Sequence, residues 1–481
     1  MSVLEGLEPK AVFHFFEEIA GIPHGSGNTK QISDYLLRFA QERGLKCLQD
    51  ESNNVIIWKD GTEGYEHAAP VMLQGHMDMV CEKEDGCDID FLNDSLTLEV
   101  NDGIVSAKGT TLGGDDGIAV AYALAVLDAK DIPHPPLEVV ITVDEEIGML
   151  GAAALDASCL KSRLMLNMDS ENEGSLLVSC AGGVTVTAKI PLVRKNRDGK
   201  RARVEIGGLI GGHSGVEIDK GRANATRELG RVLYVLAKDM DYGLVRVDGG
   251  LKDNAIPRAA AAEIVLKEEE AEKAQEIIDR MNEVLRHEYR LTDPDITLSL
   301  RKSDNTEVPM DEGSMARVVI ALVNFPGGIQ KMSFDIEGLV QTSLNLGITK
   351  TGEDEIEFSF SVRSSVESER DELVDRIECL MRAIGGSVST MGQYPAWEYK
   401  QDSPLRDIMV GAFEEQYGHK PEVYALHAGV ECGLFAGKMP GLDAVSFGPD
   451  MKDIHTPKES LDAKSVERTW KYLLCALKKM K

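Results

Sequence analysis

Five short segments of the sequence carry histidine or acidic side chains of the kinds that bind divalent metal ions. Two histidines with several carboxylates and no cysteine are the ligand set of a hydrolytic zinc site, and manganese or cobalt could occupy the same set. The sequence therefore predicts a hydrolase that uses a metal-activated water. The candidate residues are His76, Asp78, Asp115, Glu145, Glu146, Asp169 and His455.

The spacing within two of these segments indicates how the residues could divide their work. Residues i and i+2 share one face of a strand, so Asp78 can lie behind His76 and hold its second imidazole nitrogen. Glu145 and Glu146 would point apart on an extended strand, so both reach one site only if the chain bends, as Gly148 can help it do. One glutamate can then bind a metal while its neighbour transfers protons.

The metal-binding candidates lie at the ends of predicted strands or in the loops after them, where open α/β sheets form their active sites. Up to about residue 185, short runs rich in Val, Ile and Leu alternate with helical patterns such as that of residues 118–127. This alternation predicts an α/β layer whose sheet is covered by helices on both faces. The predicted strands are residues 54–58, 71–74, 137–143 and 164–167.

A second predicted domain interrupts the first, because the pattern between residues 187 and 386 changes to that of an α+β domain with ferredoxin-like βαββαβ order. We expect a discontinuous catalytic domain, residues 1–186 and 387–481, with the inserted domain acting as a lid. No internal repeat is evident. The predicted strands are residues 202–206, 258–267, 355–363 and, after the insertion, 444–447; the predicted helices are residues 224–238, 269–286, 369–384, 404–417 and 460–479.

Composition excludes several classes of protein. The 481 residues carry a formal net charge of −29, which excludes a nucleic-acid binder built on a basic face. No run approaches the roughly 18 apolar residues of a membrane span, and the first residues lack the basic and apolar regions of a secretion signal. Eight scattered cysteines without a C-x-x-C pair argue against disulfides and thiolate zinc sites. We expect a soluble, reduced, cytoplasmic protein.

A series of short stretches, in one order along essentially the whole chain, gives the sequence a family resemblance. The chain resembles the dinuclear-zinc exopeptidases that include carboxypeptidase G, aminoacylase and the bacterial dipeptidases. Gly117 stands where many members of the wider family have lysine, and the dipeptidase branch shares this glycine. The matching stretches are residues 74–78, 109–115, 137–146, 167–170, 180–183, 211–215, 254–258 and 427–433.

The resemblance implies a role for each metal-site residue. His76 and Asp169 would bind one ion, Glu146 and His455 the other, and Asp115 would bridge the two. A cis peptide bond is expected after Asp115. Glu145 would be the general base, and Asp78 would orient His76.

The resemblance also implies how the substrate is held. His213, in the inserted domain, would help to stabilise the tetrahedral oxyanion. Asn254 and Arg363, with Gly429 from the returning catalytic segment, would hold the substrate's terminal carboxylate. Homodimerisation through the inserted domain is expected as well.

The activity implied by the resemblance is hydrolysis of dipeptides, with Xaa-His peptides such as β-alanyl-histidine as the expected substrates. N-acyl amino acids and tripeptides are alternative substrates, because the metal site is common to all these hydrolases. A non-catalytic binding protein on the same fold is an alternative from another class, although its usual sign, loss of a metal ligand or of the base, is absent from the sequence.

Overall fold

The structure, a computed structural model, describes residues 3–481, which divide into two compact units. Unit 1 extends to Cys180 and also contains Tyr399–Ala425 and Val430–Lys481. Unit 2 comprises Ala181–Glu398 and the short segment Leu426–Gly429. Gly429 therefore groups with unit 2, whereas the sequence assigned it to the returning catalytic segment, because its neighbours in space come from the inserted part of the chain.

The helices and strands follow one another in mixed order. The helices are α1 Lys10–Ala20, α2 Lys30–Glu42, α3 Gly114–Asp128, α4 Leu150–Ala154, α5 Ala225–Asp239, α6 Ala271–Glu288, α7 Glu312–Asn324, α8 Glu367–Ala383, α9 Pro404–Tyr417, α10 Glu431–Lys438 and α11 Ala463–Lys479. The strands are β1 Lys46–Gln49, β2 Val55–Lys59, β3 Val71–His76, β4 Leu98–Asn101, β5 Ile104–Ala107, β6 Leu137–Thr142, β7 Leu164–Asn167, β8 Ser175–Cys180, β9 Gly182–Pro191, β10 Lys200–Gly207, β11 Gly212–His213, β12 Tyr242–Gly249, β13 Ala255–Ile256, β14 Ala260–Leu266, β15 Thr297–Lys302, β16 Gly328–Met332, β17 Val340–Thr351, β18 Glu355–Ser364, β19 Ser387–Tyr394, β20 Glu422–Leu426, β21 Asp443–Ser446, β22 Met451–Lys452 and β23 Ser460–Asp462.

Unit 1 is built on an eight-stranded sheet of order β1-β2-β6-β3-β7-β21-β8-β20. Its centre is parallel, since β3 pairs in parallel with β6 and β7, and β7 in parallel with β21. Every residue of β3 and β6 is buried, as expected for strands covered on both faces. Residues 114–127 of α3 are also buried. The predicted α/β fold class is confirmed.

The C-terminal prediction needs one correction, because residues 460–479 do not form a single helix. Ser460–Asp462 is strand β23, which pairs with β5 and β22, and α11 begins at Ala463. The Asp462 carboxylate accepts hydrogen bonds from the backbone N–H groups of Lys464 and Ser465, at 2.8 and 3.2 Å. This N-cap fixes the start of the helix.

No helix within residues 3–481 has the length and apolar character to cross a membrane.

Unit 2 contains a nine-stranded antiparallel sheet made of two ferredoxin-like motifs side by side. In chain order, β10-α5-β12-β14-α6-β15 forms one βαββαβ motif, whose strands lie in the order β15-β10-β14-β12. The second motif uses β9, α7, β17, β18, α8 and β19, and its strands lie in the order β17-β18-β9-β19. The sequence predicted one such motif with a helical insert and no repeat. The doubling was hidden because the first motif is inserted within the second.

Candidate active site

Three parallel strands bring the metal-binding candidates to one edge of the unit 1 sheet. His76 ends β3 and lies beside Thr142, the last residue of β6. Gln74 of β3 lies beside Asn167, the last residue of β7. Glu145 and Glu146 follow β6, and Asp169 follows β7, so all these side chains emerge where the carboxyl ends of the strands meet.

Asp115 lies between the two predicted imidazole ligands. Nε2 of His76 is 3.2 Å from one carboxylate oxygen of Asp115, and Nε2 of His455 is 3.1 Å from the other. His455, in the loop between β22 and β23, also lies 2.9 Å from the Glu146 carboxylate. Asp169 is 3.8 Å from His76 Nε2. The structure thus brings the five predicted metal ligands together, with Asp115 between the two histidines, and the peptide bond after Asp115 is cis.

Asp78 contacts both His76 and the backbone of the two adjacent glutamates. Nδ1 of His76 lies 3.0 Å from the main-chain oxygen of Asp78 and 3.4 Å from its carboxylate, leaving Nε2 directed to Asp115. The same carboxylate accepts hydrogen bonds from the backbone N–H groups of Glu145 and Glu146, at 3.1 and 3.4 Å. Asp144 precedes them with φ of 55° and makes the bend that the adjacent glutamates required. Asp78 therefore orients the histidine and fixes this bend.

Glu459 was missed by the sequence analysis, yet its carboxylate anchors the loop that carries Asp115. One of its oxygens accepts the N–H groups of Leu112 and Gly113, at 2.7 and 3.1 Å. The other accepts those of Gly114 and Asp115, at 2.8 and 3.2 Å. Glu459 is buried. It lies far from these residues in sequence, so no local pattern could reveal the contact.

Burial and mutual repulsion perturb the carboxylates around His76. Burial, followed by the repulsion of Asp116, raises the pKa of Asp169 well above its usual range. Burial also raises the pKa of Glu145 to about 7, with Glu146 adding to the shift. Hydrogen bonds from the two imidazoles outweigh the opposing effect of burial and hold the pKa of Asp115 below its usual range. The cluster therefore contains more negative charge than its own histidines neutralise.

The donor set fits divalent metal ions. Asp115, Glu146 and His455 bring ligand atoms within 4.8 Å of one another, as do His76, Glu145 and Glu146. A further group joins His76 and Asp169 to Asp116, to which the sequence analysis gave no role. Imidazole nitrogen with carboxylate oxygen is the chemistry that zinc and related ions prefer, and bound cations would relieve the carboxylate repulsion.

The predicted anion-binding residue Arg363 lies in a row of neighbours across the unit 2 sheet. On β18, Arg363 is opposite Ser343 of β17 on one side and Gly183 of β9 on the other. Gly183 is in turn opposite Tyr394 of β19. The Tyr394 hydroxyl accepts a 2.8 Å hydrogen bond from Arg363. A Cβ on Gly183 would lie 2.6 Å from Tyr394 Cζ, so only glycine leaves room for this ring.

The other predicted substrate-binding residues of unit 2 lie close to this row. A Cβ on Gly429 would lie 2.6 Å from Tyr394 Cε2, which places Gly429 against the tyrosine ring. Asn254 is exposed, and the loop beside it is held by Asn345, whose amide donates to the main-chain oxygens of Asp253 and Ala255. Asn345 is two residues from Ser343 on the same strand.

His213 is oriented as a hydrogen-bond donor. It lies opposite Ala255 in the ribbon formed by β11 and β13, which brings it next to Asn254. Its Nδ1 accepts the backbone N–H groups of Gly215 and Val216, both at 3.2 Å. Burial and the nearby Arg363 lower the pKa of His213, so its neutral form is favoured. The neutral ring then carries its proton on Nε2.

Comparisons with known proteins extend these observations. The family model "Peptidase family M20/M25/M40" matches residues 72–479. The cytosol non-specific dipeptidase of Escherichia coli K12 is 34% identical over 100% of this chain and 99% of its own length. The crystal structure of aminoacylhistidine dipeptidase from Vibrio alginolyticus is 36% identical with a TM-score of 0.95, covering 98% of this chain and 97% of the other.

A more distant solved structure shares the fold. A tripeptidase from Staphylococcus aureus has 17% identity and a TM-score of 0.58, covering 98% of this chain and 99% of the other. The family match spans most of the sequence, and the residues of the candidate metal centre lie within it. The chain belongs to peptidase family M20/M25/M40.

Proposed function

We propose that this protein is a metal-dependent dipeptidase that hydrolyses the single peptide bond of dipeptides, with Xaa-His peptides as its expected substrates. The observation that carries the proposal is the gathering of His76, Asp115, Glu146 and His455, with Glu145 beside them, at the carboxyl edge of the unit 1 sheet. Two relatives that match nearly the whole chain, at 34% and 36% identity, bear dipeptidase names.

Two divalent ions, most simply zinc, with manganese or cobalt as alternatives, would occupy the centre. His76 and Asp169 would hold one ion, Glu146 and His455 the other, and Asp115 would touch both, as its position between the two imidazoles supports. When bound, such ions lower the pKa of a shared water and polarise the scissile carbonyl.

Glu145 is the proposed general base and acid. Its backbone N–H is tied to Asp78, and its side chain belongs to the same group of ligand atoms as His76 and Glu146. A carboxylate oxygen of Glu145 takes the proton of the attacking water and then delivers it to the leaving amine. Asp78 fixes the position of this glutamate relative to His76, because it contacts both residues.

Unit 2 would supply the groups that bind the developing oxyanion and the terminal carboxylate of the peptide. The Nε2 proton of His213 is free to stabilise the developing oxyanion, a contribution of about 3–4 kcal/mol for one such donor. Arg363, Asn254 and Gly429 would bind the terminal carboxylate of the substrate. A carboxylate site for the residue after the scissile bond selects substrates that end there, which dipeptides do.

N-acyl amino acids share that carboxylate and remain the competing substrate class, with tripeptides as a second one. Turnover should therefore be compared for Gly-His, β-alanyl-histidine, an acetyl amino acid and a tripeptide with zinc, manganese and cobalt in turn. We expect the two dipeptides to have the highest kcat/KM. Faster hydrolysis of the acetyl amino acid or the tripeptide would overturn the dipeptide assignment, and no hydrolysis of any would favour a binding protein.

We further propose a cytoplasmic location and a homodimer formed through unit 2. The location is supported by the name of the Escherichia coli relative, a cytosol dipeptidase. The dimer is supported by exposed apolar side chains on α7 and β16, among them Ile320, Val323 and Met332, which a second copy could cover. Sedimentation at micromolar concentration should show a dimer, and a monomer alone would contradict this part of the proposal.

A further inference from the structure

Two buried nitrogen atoms of unit 2 lack hydrogen-bond partners among residues 3–481. They are Nε of Arg363 and Nδ1 of His427, and the two residues are only 9% and 6% exposed. Leaving a buried polar group unpaired costs about 1–3 kcal/mol, more when the group is charged. Native proteins rarely accept this cost without a reason, so the pair points to a missing ligand.

Ser343 connects these two residues. Ser343 is directly opposite Arg363 across β17 and β18, and side chains at such positions lie on the same face about 5 Å apart. The Ser343 hydroxyl is 2.7 Å from Nε2 of His427. His427 is therefore one hydrogen bond away from the cross-strand neighbour of Arg363, and its ring is close enough to Arg363 to feel the charge of the guanidinium.

His427 also lies close to the proposed oxyanion donor. A Cβ on Gly215 would lie 2.6 Å from the main-chain oxygen of His427 and 3.0 Å from Cε1 of His213. Gly215 therefore lies between the His427 backbone and the His213 ring, and both are in close contact with it. On the other side of Arg363, Gly429 packs against Tyr394. His427 thus stands among the residues to which substrate binding is assigned, although the sequence analysis gave it no role.

The protonation state of His427 suits an anionic ligand. Burial and the positive charge of Arg363 lower its pKa to about 3, so the ring is neutral and carries one proton. When the Ser343 hydroxyl donates to Nε2, that proton is on Nδ1, the nitrogen without a partner. A neutral N–H donor beside a guanidinium N–H can then bind a carboxylate without the cost of burying a second cation.

We propose that His427 is a further substrate-binding residue, whose Nδ1–H donates to the terminal carboxylate of the substrate alongside Nε–H of Arg363. Ser343 is the positioning residue, because it fixes the imidazole tautomer. This inference rests on the proposed function, since it adds a donor to the same carboxylate site. It makes His427 a residue that selects peptides with a free, charged C-terminus.

The test compares a free acid with its uncharged amide. We would measure kcat and KM for Gly-His and for glycyl-histidinamide with the metal-loaded wild type, His427→Ala, His427→Asn and Ser343→Ala. Removing a hydrogen bond to a charged group should raise KM for Gly-His roughly 10- to 100-fold in His427→Ala, with only a few-fold change for the amide. His427→Asn, which keeps an N–H donor near the position of Nδ1, should recover much of the preference for the acid.

The outcomes separate this inference from the proposed function. If the wild type cleaves neither peptide with zinc, manganese or cobalt, the proposed function fails whatever the role of His427. If the wild type is active and His427→Ala loses activity equally on both peptides, or loses none, His427 is not a carboxylate ligand. Should His427→Ala fail to fold by circular dichroism, Ser343→Ala decides the question: a reduced acid-to-amide ratio supports the inference and an unchanged ratio overturns it.

Discussion

Single residues in this site do more than one task. Asp78 touches His76 through its main-chain oxygen and carboxylate, and the same carboxylate holds the backbone of Glu145 and Glu146. One short motif therefore couples the orientation of a proposed metal ligand to that of the proposed base. The i,i+2 spacing predicted the contact with the histidine, but the contact with the glutamates depends on a bend that only the folded chain shows.

Replacement of the proposed base tests the residue-level mechanism. Glu145→Gln keeps the size of the side chain but removes its ability to take a proton, so kcat for Gly-His should fall at least 100-fold. Metal content measured by mass spectrometry should stay at the wild-type value, because Glu145 is not assigned as a ligand. The matched control is Glu63→Gln, an exposed glutamate of unit 1, which should behave as wild type. Near-normal turnover by Glu145→Gln would remove Glu145 from the mechanism.

The sequence predicted the metal-binding candidates because their residue types are unusual together and each lies just after a recognisable strand. It did not predict Glu459, Ser343 or His427. Glu459 contacts a loop that is 344–347 residues away along the chain. Ser343 and His427 lie 84 residues apart and meet because the short segment Leu426–Gly429 returns to unit 2. Contacts of this kind have no local pattern.

At the scale of elements, the loop that opens α3 is held from outside by the chain just before β23. Glu459 receives four backbone N–H groups from residues 112–115. In Glu459→Gln one carboxylate oxygen is replaced by an amide NH2 group, which donates hydrogen bonds and cannot accept these. We expect a loss of about 1–3 kcal/mol in the free energy of unfolding, measured with urea, and metal binding weakened roughly 10- to 100-fold.

The control for Glu459→Gln is Glu414→Gln, which changes an exposed glutamate of α9. It should alter neither unfolding nor metal affinity. If Glu459→Gln also matches the wild type in both measurements, the four hydrogen bonds are not needed to hold Asp115.

The close contact between Gly183 of β9 and Tyr394 of β19 leads to a second prediction at this scale. In Gly183→Ala the new methyl group would overlap the Tyr394 ring, so the tyrosine must move away from Arg363. KM for Gly-His should rise about tenfold or more while the metal content stays unchanged. Gly411→Ala is the matched control, because nothing lies within 4 Å of its added carbon and alanine suits the interior of α9. Equal kinetics for the two variants would contradict the assignment of this row to substrate binding.

Sequence patterns predicted the elements unevenly, and burial explains the difference. β7 has the predicted bounds, residues 164–167, and β3 begins at the predicted residue, because buried parallel strands are continuous apolar runs. β19 was not predicted, since most of its residues are exposed and include serine, threonine and glycine. β23 was merged into a helix because a three-residue strand is too short for a period to emerge.

At the scale of the molecule, the net charge of −29 works against an anionic substrate. A peptide carboxylate would therefore have to be attracted by local positive charge, and we propose that Arg363 supplies it in unit 2. At the candidate metal centre of unit 1 the local charge is instead negative, because carboxylates outnumber imidazoles. Burial and repulsion between the carboxylates raise the pKa of Asp169 and that of Glu145. This excess of negative charge at one edge of the unit 1 sheet is the reason to expect two divalent cations there.

The central claim, that this metal centre hydrolyses dipeptides, is tested most directly by titrating zinc into the metal-free protein while following hydrolysis of Gly-His. We predict two ions bound per chain by calorimetry, no activity without metal, and turnover that reaches its maximum as the second ion binds. A chain that binds two ions yet never cleaves the dipeptide, or that cleaves it at full rate without any metal, would contradict the account.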